Sequence, residues 1–280
     1  MKRMLSCVFV MVLAVSVAAQ EKEKTTVKTT TTTVKSGFDL LGGETFNVAD
    51  ATAFETHAVD LRFAFRWETE NFPANAGDSN DDFYVQPVAV WGCCPNVEVS
   101  STMPIQIGDG GHIPAQADGH HDGYWGLFWH MTDQQDWFPA LALASSLRLP
   151  TGQRSNGVDW ELRLAMTNEY ESGIRSHLNF FGITANHQNY EDLRHFQYGA
   201  VAGLDGPLGS DGNLRWVLDY MYRIGQHEGG GGKNIAEAGW QWQIADAHKL
   251  GMSVQVGLDH AEDETANMGA ALTYAYTLKY

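Results

Sequence analysis

Several groups of side chains here are of the types that chemistry uses. His112, Asp118, His120, His121 and Asp122 fall in one stretch, threaded by Gly108, Gly110, Gly111 and Gly119. Imidazoles and carboxylates at this density are ligands for zinc, copper or nickel. No spacing matches a closed metal site, so the stretch reads as a solvated loop or a weak divalent-metal site, and no cofactor is implied. Ser176 and His177 also stand together. Strand neighbours point to opposite faces, which separates a would-be nucleophile from its base. The His-x-Ser spacing of a lipid-facing hydrolase does not occur in the chain. The chain therefore reads as not an enzyme. Cys93 and Cys94 are adjacent, between Gly92 and Pro95, and cannot staple distant parts of a fold. They read as a tight turn that carries thiols or as a vicinal disulfide.

A further set is spread along the chain: Arg62, Arg66, Glu98, Glu161, Arg163, Arg175, His177, Arg215, Asp219, Arg223, Gln241, Gln243 and Lys249. What unites it is parity. Val59, Leu61, Phe63, Phe65 and Trp67 alternate with Asp60, Arg62, Arg66 and Glu68. Trp160, Leu162, Leu164 and Met166 alternate with Asp159, Glu161, Arg163 and Thr167, and Leu250, Met252, Val254 and Val256 with Lys249, Ser253 and Gln255. A period of two is a strand with unlike solvents on its two faces. One such run would suit a soluble sandwich. Its recurrence to the end of the chain is the signature of a transmembrane antiparallel β-barrel, all-β, with the polar parity lining the lumen. Cations outnumber acids in the set, which predicts a positive interior and a modest anion preference.

The chain parses into about twelve strands, near 56–68, 83–91, 96–106, 123–131, 138–149, 158–169, 174–186, 193–204, 213–223, 234–245, 249–259 and 268–280. Connections alternate between short turns, expected on the periplasmic side with both termini, and longer extracellular loops rich in glycine and acid. The stretch from Asp205 to Gly212 is long for a periplasmic turn. Pro87, Pro104 and Pro139 must each sit at a strand end or a bulge, because a closed barrel has no edge to absorb a missing donor.

Ahead of the strands, Lys2 and Arg3, an apolar run to Val17 and the small residues Ala18 and Ala19 read as a signal peptide over 1–19. Residues 20–50, with threonine dominating 25–35, read as a flexible periplasmic extension, and 51–280 as the barrel. No other segment has the ~18 apolar residues that a membrane helix needs. The net charge of −16 at pH 7, more negative still without Lys2 and Arg3, argues against nucleic acid as a partner. The expected partners are outer-membrane lipid, a small-molecule solute and the barrel-assembly machinery. The last of these would read Tyr274, Tyr276 and the terminal Tyr280 as its assembly signal.

Phe138-Pro139-Ala140-Leu141-Ala142-Leu143, then Leu147-Arg148-Leu149-Pro150-Thr151-Gly152 and later His177-Leu178-Asn179, resemble the outer-membrane barrel family named for the meta-pathway of phenol degradation. That resemblance implies a channel or transporter in the cell outer membrane for small, hydrophobic or aromatic compounds, with no agreed catalytic residues. The competing expectation is a mainly structural or surface-interaction barrel, its lumen plugged and its loops binding ions or partners.

Overall fold

The computed structural model describes residues 49–280 except 53, 71–79, 108–118, 121, 153–156, 187–193, 211, 226–230 and 259–267. Period-two runs become the strands β1 (Ala58–Glu70), β2 (Asn80–Cys94), β3 (Val97–Thr102), β4 (Ile105–Gln106), β5 (Gly119–His120), β6 (Gly123–Thr132) and β7 (Ala140–Leu149). They continue as β8 (Asp159–Glu169), β9 (Arg175–Thr184), β10 (Phe196–Pro207), β11 (Leu214–Arg223), β12 (Lys233–Ala245), β13 (His248–Gly257) and β14 (Met268–Lys279). Every pairing is antiparallel, and β3 with β4, like β5 with β6, forms one interrupted stave, so the sheet has twelve staves. β1 pairs with β14 over twelve residue pairs, from Ala58 with Lys279 to Thr69 with Met268, and closes the sheet on itself. Closure satisfies the backbone polar groups that hydrocarbon could not, which is the condition for strands to cross a bilayer. Among the described residues no helix is long and apolar enough to cross one.

Burial along β1 is the inverse of a soluble strand. Arg62 is 3% exposed while its neighbour Phe63 is 47% exposed. The same inversion recurs in Leu162, Phe180, Leu218 and Leu272, large apolar residues left on the outside, beside buried Arg163, Asn179, Asp219 and Thr273. A twelve-stave barrel with polar groups inside and an apolar belt outside is the expected fold class.

The structure revises several expected details. β10 runs on to Pro207, with Asp205 paired to Arg175 and to Val217, so the turn that looked too long is shortened at its start. Pro104 falls between β3 and β4 and Pro139 just ahead of β7, but Pro87 lies inside β2, opposite Phe63. Pro87 turns its carbonyl toward β3, where the Thr102 hydroxyl donates to it at 2.6 Å. A residue's N and C=O point to the same side of a strand, so the missing donor faces the break between Thr102 and Ile105 and no ladder bond is lost. Cys93 and Cys94 belong to the end of β2, and the turn itself is Pro95 and Asn96. The two thiols are free.

The faces are testable. An arginine facing mid-membrane lipid costs about 2–4 kcal/mol, whereas one facing the lumen does not. Leu162→Arg and Val254→Arg are expected to abolish the heat-modifiable folded band in gel electrophoresis. Gln255→Arg, one residue from Val254 on the opposite face, is expected to retain it, and equal tolerance of all three would contradict the assignment of faces.

Candidate functional site

All thirteen candidate lumen residues sit on the inward face that the register defines, but they divide by accessibility. Arg62, Glu98, Arg163, Arg175, His177, Arg215 and Asp219 are buried, while Arg66, Glu161, Arg223, Gln241, Gln243 and Lys249 keep part of their surface open. Much of the sealing comes from the chain itself. Ala49, Asp50, Ala51 and Phe54, which precede β1, are between 0 and 6% exposed and bonded to inward side chains of four strands.

The first contact of this lumen segment is with β9. Asn179 grips the backbone of Ala49 with both ends of its amide, accepting from the Ala49 N–H at 2.7 Å and donating to its carbonyl at 3.0 Å. Asp50 accepts from Arg175. The Ala51 amide donates to the Thr167 hydroxyl on β8 at 2.9 Å, and the Ala51 carbonyl lies 2.7 Å from His130 Nδ1 on β6. Phe54 donates its amide to Glu98 on β3, and its ring packs with Ala58, Val88 and Val90. These partners lie near the short-turn ends of their strands, so the segment crosses the periplasmic half of the lumen from β8 and β9 to β2 and β3. His57 then adopts φ 61°, the kink that turns the chain into β1.

Beneath the segment lies a hub of charge. Asp205 on β10 accepts from Arg175 Nε at 3.0 and 3.1 Å, from Arg215 Nε at 2.7 Å and meets His177 Nε2 at 2.6 Å. Thr167 Oγ1, which receives the Ala51 amide, is 2.9 Å from His177 Nδ1. The arrangement that satisfies every group has the Thr167 hydroxyl donating to Nδ1 and Nε2–H donating to Asp205. Hydroxyl, imidazole and carboxylate thus stand in line as in a hydrolytic triad, but Thr167 is 2% exposed under the Ala51 amide and Asp205 is taken by two guanidiniums. The array positions the segment and leaves no place for a substrate carbonyl. Ser176, as its parity requires, turns to the other face and lies 3.0 Å from the Tyr170 hydroxyl.

Other inward charges are paired too. Arg62 meets Asp60 at 2.6 Å, Arg163 meets Glu161 at 3.0 Å and stacks on Phe181, and Arg148 meets Asp159 at 2.7 Å as well as Asp122. This revises the expected positive interior. Asp60, Glu161, Asp50 and Asp205 stand against Arg62, Arg163, Arg175 and Arg215, four of the cations that were to supply it, because in a low-dielectric lumen an uncompensated guanidinium would be costly.

Of the candidate metal ligands, Asp122 is bonded to Arg148 and accepts the Gly152 amide at 2.9 Å. His120 lies in β5, while His112, Asp118 and His121 fall outside the described residues. Among the described residues no cluster of three or more ligating side chains forms. Tyr274 and Tyr276 face outward on β14 against His248, whose ring centroid is 5.0 Å from that of Tyr276, and Tyr280 accepts a hydrogen bond from Trp91 Nε1 at 2.5 Å.

Sequence reasoning passed over the lumen segment. The signal for it lies in β7, where Ala140, Ala142 and Ala144 occupy three successive inward positions, so that the first half of this strand is apolar on both faces. Those alanines, with Ala165 and Phe128, form the apolar bed of Ala49 and Ala51. An apolar inward face in an otherwise polar lumen marks something packed inside it.

Removing a hub carboxylate should cost far more than removing a peripheral one, since a buried ion stripped of its partner costs about 3–5 kcal/mol. Asp205→Ala takes a shared carboxylate from Arg175, Arg215 and His177 at once, whereas Asp50→Ala leaves Arg175 its bond to Asp205. The expected order of unfolding temperature is wild type, then Asp50→Ala, then Asp205→Ala well below both, read by loss of the folded band on heating.

No family model matches the chain, and no curated protein matches it. Solved structures do. An outer-membrane channel from Pseudomonas putida F1 superposes with a TM-score of 0.61 at 12% identity, over 82% of this chain and 98% of that one. The KdgM porin in complex with disordered oligogalacturonate gives 0.50 at 10% identity, over 78% and 98%, and the NanC porin 0.50 at 8%, over 79% and 100%. At such identities the likeness is one of fold. Together with the closed ladder, the sealed charges within and the apolar belt without, it makes this chain a twelve-stave transmembrane β-barrel of the outer-membrane type.

Proposed function

We propose that this barrel is a passive channel for small solutes, narrowed at its periplasmic half by the lumen segment. The observation that carries the reading is where accessible inward surface remains. Arg66, Glu68, Arg223, Gln241, Gln243, Lys249 and Gln255 stay partly open on β1, β11, β12 and β13, and Glu161 does so at the extracellular end of β8, whereas the inward groups of β6 to β9 that hold Ala49, Asp50 and Ala51 are buried. Small inward residues lie between them: Gly251 pairs with Gln241 and Thr273, and Ser253 with Gly239 and Ala271. At the extracellular half a small recess is bounded by Arg66, Glu68, Glu237, Ser253 and Gln255. A solute entering there would pass along β12 to β14, beside the segment. The lumen-lining residues that bear on transport are then Arg66, Glu161, Arg223, Gln241, Gln243 and Lys249, while Arg62, Glu98, Arg163, Arg175, His177, Arg215 and Asp219 hold the barrel and its segment.

The resemblance to the phenol-degradation barrel family directs the choice of solute toward small hydrophobic or aromatic compounds, and the paired interior removes the reason to expect ion selectivity. The second reading, a structural barrel with its lumen plugged, draws on the number of bonds that hold the segment.

Purified full-length protein in planar bilayers separates the two. The channel reading expects small, steady unitary currents, at least about twofold lower in Gly251→Phe and Lys249→Trp, which crowd the proposed path. Asp50→Ala, which loosens the segment, is expected to raise them. Silence from the wild type and from Asp50→Ala alike would favour the plugged barrel.

A further inference from the structure

Where the lumen segment leaves the barrel, it runs over the end of β2. The His57 amide donates to the Gly92 carbonyl at 3.0 Å, and a Cβ on Gly92 would stand 2.2 Å from the Glu55 carbonyl oxygen. That contact leaves no room for any residue but glycine. The next two residues are Cys93 and Cys94, their Sγ atoms 3.5 Å apart, Cys94 exposed and Cys93 half-buried. A register shift between Gly92 and Cys94 bulges the strand there, and Asn96 closes the turn at φ 65°. The site lies on the short-turn side with the carboxyl terminus, where Tyr280 donates its amide to the His57 carbonyl at 3.1 Å.

We propose that Cys93 and Cys94 are a redox-modification site, converted in the envelope to a vicinal disulfide that fixes the exit of the lumen segment. Three observations meet here. The periplasm to which this turn belongs is oxidising, so an exposed thiol there does not stay reduced unattended. Cys7, in the stretch read as the leader, is the only other cysteine of the chain, so each thiol has the other as its sole intrachain partner in the mature barrel. The sulfurs already touch, on a bulge that can absorb the change in backbone.

The step balances with a protein disulfide as oxidant. The exposed Cys94 attacks as thiolate, forming a mixed disulfide and expelling one oxidant thiolate. The Cys93 thiolate then attacks the Cys94 sulfur, forming the Cys93–Cys94 bond and releasing the oxidant as a dithiol. Two electrons and two protons leave the chain for the oxidant. Adjacent Cα atoms are about 3.8 Å apart, below the usual disulfide span, so the ring is strained and easily reduced. That is the character of a switchable bridge, and Gly92 couples it to Glu55 and His57.

The test uses protein extracted from outer membranes without reductant, with thiols blocked by a maleimide at lysis. The expected result is no label on Cys93 or Cys94 and a peptide lighter by two hydrogens, then two labels after reduction. Labelling of both thiols before reduction, or a dimer crosslinked through Cys94, would overturn the site. Coupling to the segment is read by amide hydrogen exchange at His57, expected to quicken at least about threefold on reduction. A Cys93→Ser, Cys94→Ser variant is expected to show no response to reductant. Equal His57 exchange in both redox states of the wild type, or a response that persists in the serine variant, would overturn the coupling.

Discussion

The constraint on which the rest depends is the ladder between β1 and β14. Strands in hydrocarbon cannot leave a row of backbone amides and carbonyls unpaired, so the first and last strands must meet. Here they meet over twelve residue pairs, and the carboxyl terminus ends on a residue whose amide reaches His57 at the start of β1. Once the cylinder is closed, each residue has only two directions to face. Arg62 and Phe63, side by side, are driven to opposite environments by geometry alone.

Closure makes the interior a problem of electrostatics. Guanidiniums and carboxylates crowded inside low-dielectric walls must find each other, and the pairs at Arg62, Arg148, Arg163, Arg175 and Arg215 are the outcome. Such pairs contribute little net stability over apolar packing, but breaking one is costly, so they act as fixed posts. The posts on β8, β9 and β10 hold a piece of the chain's own backbone, which needs partners for its amides as any buried backbone does. Asn179, Thr167, His130 and Glu98 supply them. One wall of the barrel is thereby filled, and accessible inward surface is left mainly on the other.

The cylinder was legible because period two is imposed at every residue by the pleat, whatever the side chain. Strand ends were less so. Pro207 and Cys94 carry turn-like identities, yet both lie in the sheet, because the neighbouring strand continues to offer partners. The lumen segment was illegible for a different reason. Residues bound through their backbone leave no mark in side-chain pattern, and Ala49 and Ala51 are chosen only for being small. The trace they did leave lies on β7, as Ala140, Ala142 and Ala144. The charge balance was misread because parity reveals which residues face inward but not which are adjacent. Asp205 and Asp122 lay just outside the runs that were counted, and they meet Arg175, Arg215 and Arg148 across the cylinder wall.

The short tether between Phe54 and Ala58 has a consequence for the order of assembly. Four residues along from the segment's last anchor, the chain is already the first strand of the seam. The segment's sockets are on β3, β6, β8 and β9, so those strands must be in place before it can seat. With so little slack, seating it draws β1 to the lumen's edge, next to β2 and within reach of β14. Docking the segment and zipping the seam therefore support one another: a seated segment holds β1 beside both of its partners, and a zipped β1 holds the segment at its sockets.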